Sequence, residues 1–163
     1  MKLNHPALVF ISGIVWFIVG LYLLPLGLNL VTGILQPGHA ATHYYLLDNL
    51  AKVFGGRDQA ALAIIALGLL IGHFKGKYVL GKSARSGIER VLSFPSPVPL
   101  SKIYAKKYYI LLGSMILLGV SIKVFGLAPD IRGFIDIAIG AALINGSLIY
   151  FRTAYTLNKQ VEA

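Results

Sequence analysis

Cysteine does not occur anywhere in this 163-residue chain. Disulfide staples, thiolate metal sites and cysteine nucleophiles are therefore excluded. Acidic residues are almost as scarce: the six are Asp48, Asp58, Glu89, Asp130, Asp136 and Glu162. None falls at the middle of an apolar segment, and no nucleophile with a neighbouring base stands out. Charged residues of both signs make up 13% of the chain, well below the roughly 25% of ordinary globular domains. A water-soluble domain of this size would lack the polar surface to cover its core.

What is abundant is apolar, at 56% of residues, and it comes in long uncharged runs. A helix needs about 20 mostly apolar residues to cross the hydrocarbon core of a bilayer. Four segments meet that requirement: about 7–32, 59–80, 108–127 and 133–151. The first is too long for a signal-peptide core, and Pro37-Gly38-His39 is a poor cleavage context. Pro25 lacks an amide donor and is expected to bend its outer end. The second follows Gly55-Gly56-Arg57-Asp58, where Asp58 is the expected N-cap. Its uncharged part covers only 59–74, so Lys75 and Lys77 are expected to snorkel to the headgroups.

The expected fold class is all-α: an integral membrane four-helix bundle forming a single membrane domain over 1–163. Lysine and arginine set its orientation. Lys2, Lys75, Lys77, Lys82, Arg85, Arg90, Lys102, Lys106, Lys107, Arg152 and Lys159 fall on one side, eleven in all. Four fall on the other: Lys52, Arg57, Lys123 and Arg132. The positive-inside rule then places both termini and a basic loop at about 81–107 in the cytoplasm, with a bacterial inner membrane as the expected location.

Glycine is patterned. Gly13, Gly20 and Gly27 recur every seven residues in the first segment, and Gly113, Gly119 and Gly126 nearly do so in the third. Leu69–Lys75 (LLIGHFK) also resembles Leu143–Ile149 (LINGSLI), which suggests two parallel-repeat helical hairpins. Gly68, Gly72 and Gly76, like Ala138, Ala142 and Gly146, stand four apart on one helix face. Small residues at that spacing let helix backbones approach closely in lipid, either within the bundle or across a homodimer. In the connection after the first segment, Leu46, Leu47, Leu50, Val53 and Phe54 fall at helical spacing. A short outer interfacial amphipathic helix is expected there.

Several constellations invite chemistry. Gly76–Ser83 (GKYVLGKS) matches the phosphate-binding loop pattern, but that loop should follow a buried strand, whereas this segment continues an apolar helix. His39 and His43 could share a helix face, yet tetrahedral zinc generally needs three or four protein ligands, and Asp48 lies too far round a helix to join them. Ionisable groups at membrane depth are functional candidates by default. Lys123 and Asp136 face each other across a tight turn, and Arg132 stands four before Asp136. His73, Asn145 and Ser147 are the polar side chains deepest in the second and fourth segments, able to line a narrow path or to bond between helices. The basic loop should attract anionic lipid, and no nucleic-acid motif is present.

These readings lead to no catalytic residue, cofactor or metal. The expected function is a non-enzymatic structural or accessory membrane component, with a homo-oligomer or membrane-complex partner. The second class is a small oligomeric transporter or channel for an ion or small solute, using His73, Lys123, Asp136, Asn145 and Ser147. Because the chain has no cysteine, a single cysteine at Ser93 reports topology without background. It should resist an impermeant thiol reagent on intact cells and react after lysis; labelling from outside would reverse the orientation.

Overall fold

The computed structural model describes residues 2–39, 43–95, 98–99 and 126–162. The expected third span, with Gly113 and Gly119 of the repeat and Lys123, lies outside the described residues except for its last two positions. The described residues are mostly helical, with one short strand pair and turns. Helix α1 covers His5–Gly33, about 44 Å at 1.5 Å per residue. Pro6 sits in its first turn, where a missing amide costs nothing, and the helix runs unbroken through Pro25. A 3₁₀ turn at Pro37–His39 follows. Helix α2, Tyr45–Phe54, ends at Gly55 with φ 86°, a left-handed cap that glycine adopts without Cβ strain.

Helix α3, Arg57–Lys75, is capped by Gly56. Asp58, the expected N-cap, instead stands in the first turn, where its charge still favours the helix dipole. The larger departure lies at the other end. The helix does not stop near residue 80 but passes through a π-turn at Gly76–Leu80 into α4, Gly81–Leu92. The amide of Gly81 donates to the carbonyl of Gly76, five residues back. Both glycines hold right-handed helical angles (φ −60° and −59°), and no proline occurs between Pro37 and Pro95, so nothing forces a break. The first part of the expected loop at 81–107 is thus the end of a 36-residue rod, Arg57–Leu92. Helix α5, Pro129–Glu162, likewise extends beyond the expected 133–151 at both ends. Among the described residues, α1, Arg57–Leu92 and Pro129–Gln160 are long and apolar enough to cross a membrane.

Helix α5 is the centre of the bundle. A methyl added at Gly20 of α1 would lie 2.9 Å from the Gly140 carbonyl oxygen, and one at Gly27 would lie 2.7 Å from that of Gly133. Near the start of α1, Gly13 meets Tyr150 and Phe151. This order makes α1 antiparallel to α5. On α3, Gly68 meets Ile137, Gly72 meets Ala138 and Ala141, and Gly76 meets Ala142 and Asn145, which makes the rod parallel to α5. Gly146 turns away from this seam, onto the Trp16 ring. Four residues advance a helix by 400°, so each step drifts about 40° round it.

The bundle therefore has two distinct ends. At one, Lys2–Leu3 pairs antiparallel with Val98–Pro99, and His5 Nε2 donates to the Phe94 carbonyl at 2.9 Å. There Leu8, Val9 and Trp16 pack with the apolar face of α4 (Ala84, Ile88, Val91) and with Leu143, Tyr150 and Ala154 of α5. Trp16 and Tyr150 meet edge to face at 5.5 Å. At the other end α2 lies across the bundle, with Leu47 buried among Val31, Ile34, Ala60, Ile64 and Ile137. Val53 and Phe54, expected on the same apolar face, are exposed.

Overpacking such seams generally costs about 1–3 kcal/mol. Gly20→Leu and Gly72→Leu should each destabilise the fold in detergent by that order, read as a lowered thermal midpoint. Gly33→Ala, with nothing within 4 Å of the added methyl, should leave it unchanged.

Candidate functional site

Among the described residues, polar groups gather at three places: along α5, at the end of the bundle carrying α2, and along the rod near its π-turn. Along α5, Asn145 Nδ2 donates to the Ala141 carbonyl at 2.8 Å, and Ser147 Oγ donates to that of Ile144 at 2.7 Å. Both side chains bond within their own helix and make no bond between helices among the described residues. Ser147 is fully buried. His73 is exposed on α3, its ring 6.0 Å from Phe74; Gly76, not His73, stands opposite Asn145. The structure does not bring His73, Asn145 and Ser147 together into a path.

Asp136 is 7% exposed, and its Oδ2 lies 3.7 Å from Arg132 Nε, one helical turn back. That oxygen accepts no hydrogen bond from the described residues. Lys123, the other expected partner, lies outside them.

The end bearing α2 is organised by two aspartates. Asp130, the second residue of α5, is 0% exposed. Its Oδ2 accepts the amides of Leu46 and Leu47 at 2.7 and 3.1 Å, and its Oδ1 accepts that of Ile131 at 2.8 Å. One carboxylate thus satisfies amides at the starts of both α2 and α5, donors that no carbonyl within either helix can reach, and its charge suits the positive end of each dipole. The sequence offered only a weak signal, an aspartate after a proline ahead of an apolar run. Its partners 84 and 83 residues away were invisible.

Asp48 does similar work locally. Its Oδ2 accepts the Tyr44 amide at 3.0 Å and lies 3.2 Å from His43 Nδ1, while its Oδ1 lies 3.4 Å from Arg57 Nη2. The Arg57 guanidinium also lies over the Tyr44 ring at 5.8 Å. Asp48 was expected to be out of reach of the histidines. In the structure His43 precedes the helix, so its ring folds back onto the carboxylate. Partial burial works to raise the Asp48 pKa, but the Tyr44 amide, His43 and Arg57 outweigh it and hold the carboxyl below its ordinary value. His43 is 98% exposed. Among the described residues, no three His, Asp or Glu side chains converge as a metal site, and the side chain of His39 lies outside them.

Gly76–Ser83 forms the π-turn and the first residues of α4. Its amides are taken up by helical hydrogen bonds, so the backbone cradle of a phosphate-binding loop is not present. Comparison with protein-family models, with curated proteins and with solved structures gives no match.

Two outcomes follow. Hydrogen bonds to charged groups are worth about 1.5–3 kcal/mol each, so Asp130→Ala should cost about 3 kcal/mol or more and expose 43–56 to limited proteolysis. Asp130→Asn, which keeps one acceptor oxygen, should lose less. For Asp48, a lowered folded pKa gives stability that is complete above the unfolded value of about 3.9 and is lost as pH falls through the folded one. The difference in thermal midpoint between wild type and Asp48→Asn should stay flat from pH 8 to about 5 and close below about pH 4.

Proposed function

We propose that this chain is a multi-pass membrane protein with a structural or accessory role and no enzymatic one. In this reading it crosses a bacterial inner membrane four times, with both termini and the basic segments in the cytoplasm. The observation that carries the non-transport reading is the way polar side chains inside α5 are satisfied. Asn145 and Ser147 each bond to a carbonyl of their own helix, while His73 stands on an exposed face. A conducting path needs such groups turned toward a shared space, able to exchange partners with a passing solute.

The seams support the same reading. They are closed by glycine against backbone, with Gly72 lying close to the Ala138 carbonyl and Gly140 close to the Leu24 amide. The small-residue faces of α3 and α5 are taken up within the chain, which favours bundle packing over a homodimer seam for Gly68, Gly72, Gly76, Ala138 and Ala142. The antiparallel course of α1 and the rod puts the lysine- and arginine-rich ends of all described helices together, in keeping with a cytoplasmic basic side. A partner within a membrane complex, and anionic lipid along the basic side, complete the proposal.

A transporter or channel is the second reading, and Asp136 gives it its footing. A buried carboxylate oxygen within an apolar helix, lacking a hydrogen bond among the described residues, is what a proton or cation site would require.

Reconstitution into liposomes separates the two. No specific flux across a panel of ions and small solutes, together with recovery of a stoichiometric protein partner from mild detergent, is the expected result. Specific flux abolished by Asp136→Asn or Asn145→Ala would replace the accessory role by transport.

A further inference from the structure

The π-turn is the irregularity in the rod that neither the packing seams nor the accessory role explains, and π-turns inside helices often mark functional sites. Here the turn borders an open cavity of about 560 Å³, within the size range of small-ligand sites. Lys77, Tyr78, Lys82, Arg85, Ser86 and Glu89 line it, over Gly81. Three cations meet one carboxylate, so the site is net positive. In a regular α-helix Lys77 and Lys82, five residues apart, would point about 140° away from each other. The extra residue in the π-turn brings both to the same cavity as Arg85.

The opposite face of this stretch is already engaged. Gly81, Ala84, Ile88 and Val91 are buried against α1 and α5, which fixes the direction in which the basic face looks.

Depth adds a second argument, which rests on the membrane reading above. The uncharged run 59–74 accounts for about 24 Å of helix, about 6 Å short of the hydrocarbon core, so Lys75 and Lys77 snorkel and the core ends near residues 78–79. Lys82 and Arg85 lie about 7 and 12 Å beyond Lys77, at the level of the headgroups and just beyond them. Tyr78 is largely exposed at that boundary, where tyrosine is favoured, and Lys77 Nζ lies 5.6 Å over its ring.

We propose that this cavity is a binding site for an anionic phosphate group, with Arg85 as its forked donor, Lys77 and Lys82 as point charges and Ser86 as a hydroxyl donor. A guanidinium can engage two phosphate oxygens at once, while lysine supplies charge without fixed geometry. Glu89, the one carboxylate in the lining, offsets part of the positive charge. The binding mode differs from that of a phosphate-binding loop, because side chains and not backbone amides make the contacts. The same chemistry comes from two sources: the headgroup of an anionic phospholipid, or a soluble phosphate ester.

The test uses the full chain purified in detergent and examined by native mass spectrometry with phosphatidylglycerol, with phosphatidylcholine, and with glycerol phosphate as the soluble probe. Wild type should retain phosphatidylglycerol over phosphatidylcholine. Lys82→Gln and Arg85→Gln should each weaken retention about fivefold, while Lys75→Gln, outside the cavity, should leave it unchanged. Glycerol phosphate binding at the same concentration, with the same loss in the variants, would assign the site to a soluble ester. Equal loss in Lys75→Gln would mean diffuse charge and overturn the site, as would full retention in both cavity variants or no binding of either probe. The exchanged side chains are exposed, and an unchanged thermal midpoint without lipid confirms folding. The labelling of a Ser93→Cys protein reports the topology separately, so a wrong membrane orientation and a wrong binding site give different results.

Discussion

Close approach of backbones around α5 is the constraint on which the rest of this structure depends. Between helices in lipid there is no hydrophobic driving force, because the acyl tails are as apolar as leucine. Association then rests on van der Waals contact and on how near the helix axes can come. Gly20 and Gly27 bring α1 onto the backbone of α5 at Gly140 and Gly133, while Gly68 and Gly72 bring the rod onto its other side at Ile137 and Ala138. With both faces of α5 committed, the remaining elements have little freedom. Helix α4 closes one end through Ala84, Ile88 and Val91, and α2 closes the other through Leu47.

Close packing leaves little room for water, and the polar groups reflect that. Ser12, Thr32, Asn145, Ser147 and Thr156 all donate to carbonyls three or four residues back in their own helices. A hydroxyl or amide satisfied in this way can sit in an apolar seam without a partner on the next helix. Charge is treated differently. Apart from the Arg132–Asp136 pair within α5, it is kept to the ends, where Asp130 and Asp48 accept backbone amides and where the cations of α4 face outward.

Much of this was legible in the sequence, and the rest was not, for identifiable reasons. The apolar runs announced α1, α3 and α5 because hydrocarbon thickness fixes how long such a run must be. The leucines at 46, 47 and 50 announced α2, and the spacing of Arg132 and Asp136 announced their ion pair. The continuation of the rod to Leu92 was missed because the glycines and lysines of Gly76–Ser83 look like an ending. Glycine ends a helix only when its backbone turns left-handed, as Gly55 does and Gly76 does not. The role of Asp130 was missed because it lies in a contact remote in the chain. The heptad glycines of α1, read as half of a repeat whose other half lies outside the described residues, form the surface on which α5 lies.

The bond from Asp130 to α2 carries a consequence for biogenesis. The two partners are 84 residues apart, which at ribosomal speeds of roughly 5–20 residues per second amounts to about 4–17 s. Until Asp130 leaves the ribosome, the amides of Leu46 and Leu47 lack their carboxylate and the glycine ridge of α1 lacks α5. The nascent chain therefore passes through a stage in which its central seam is unfilled. Arrival of the final helix then closes both gaps in one step.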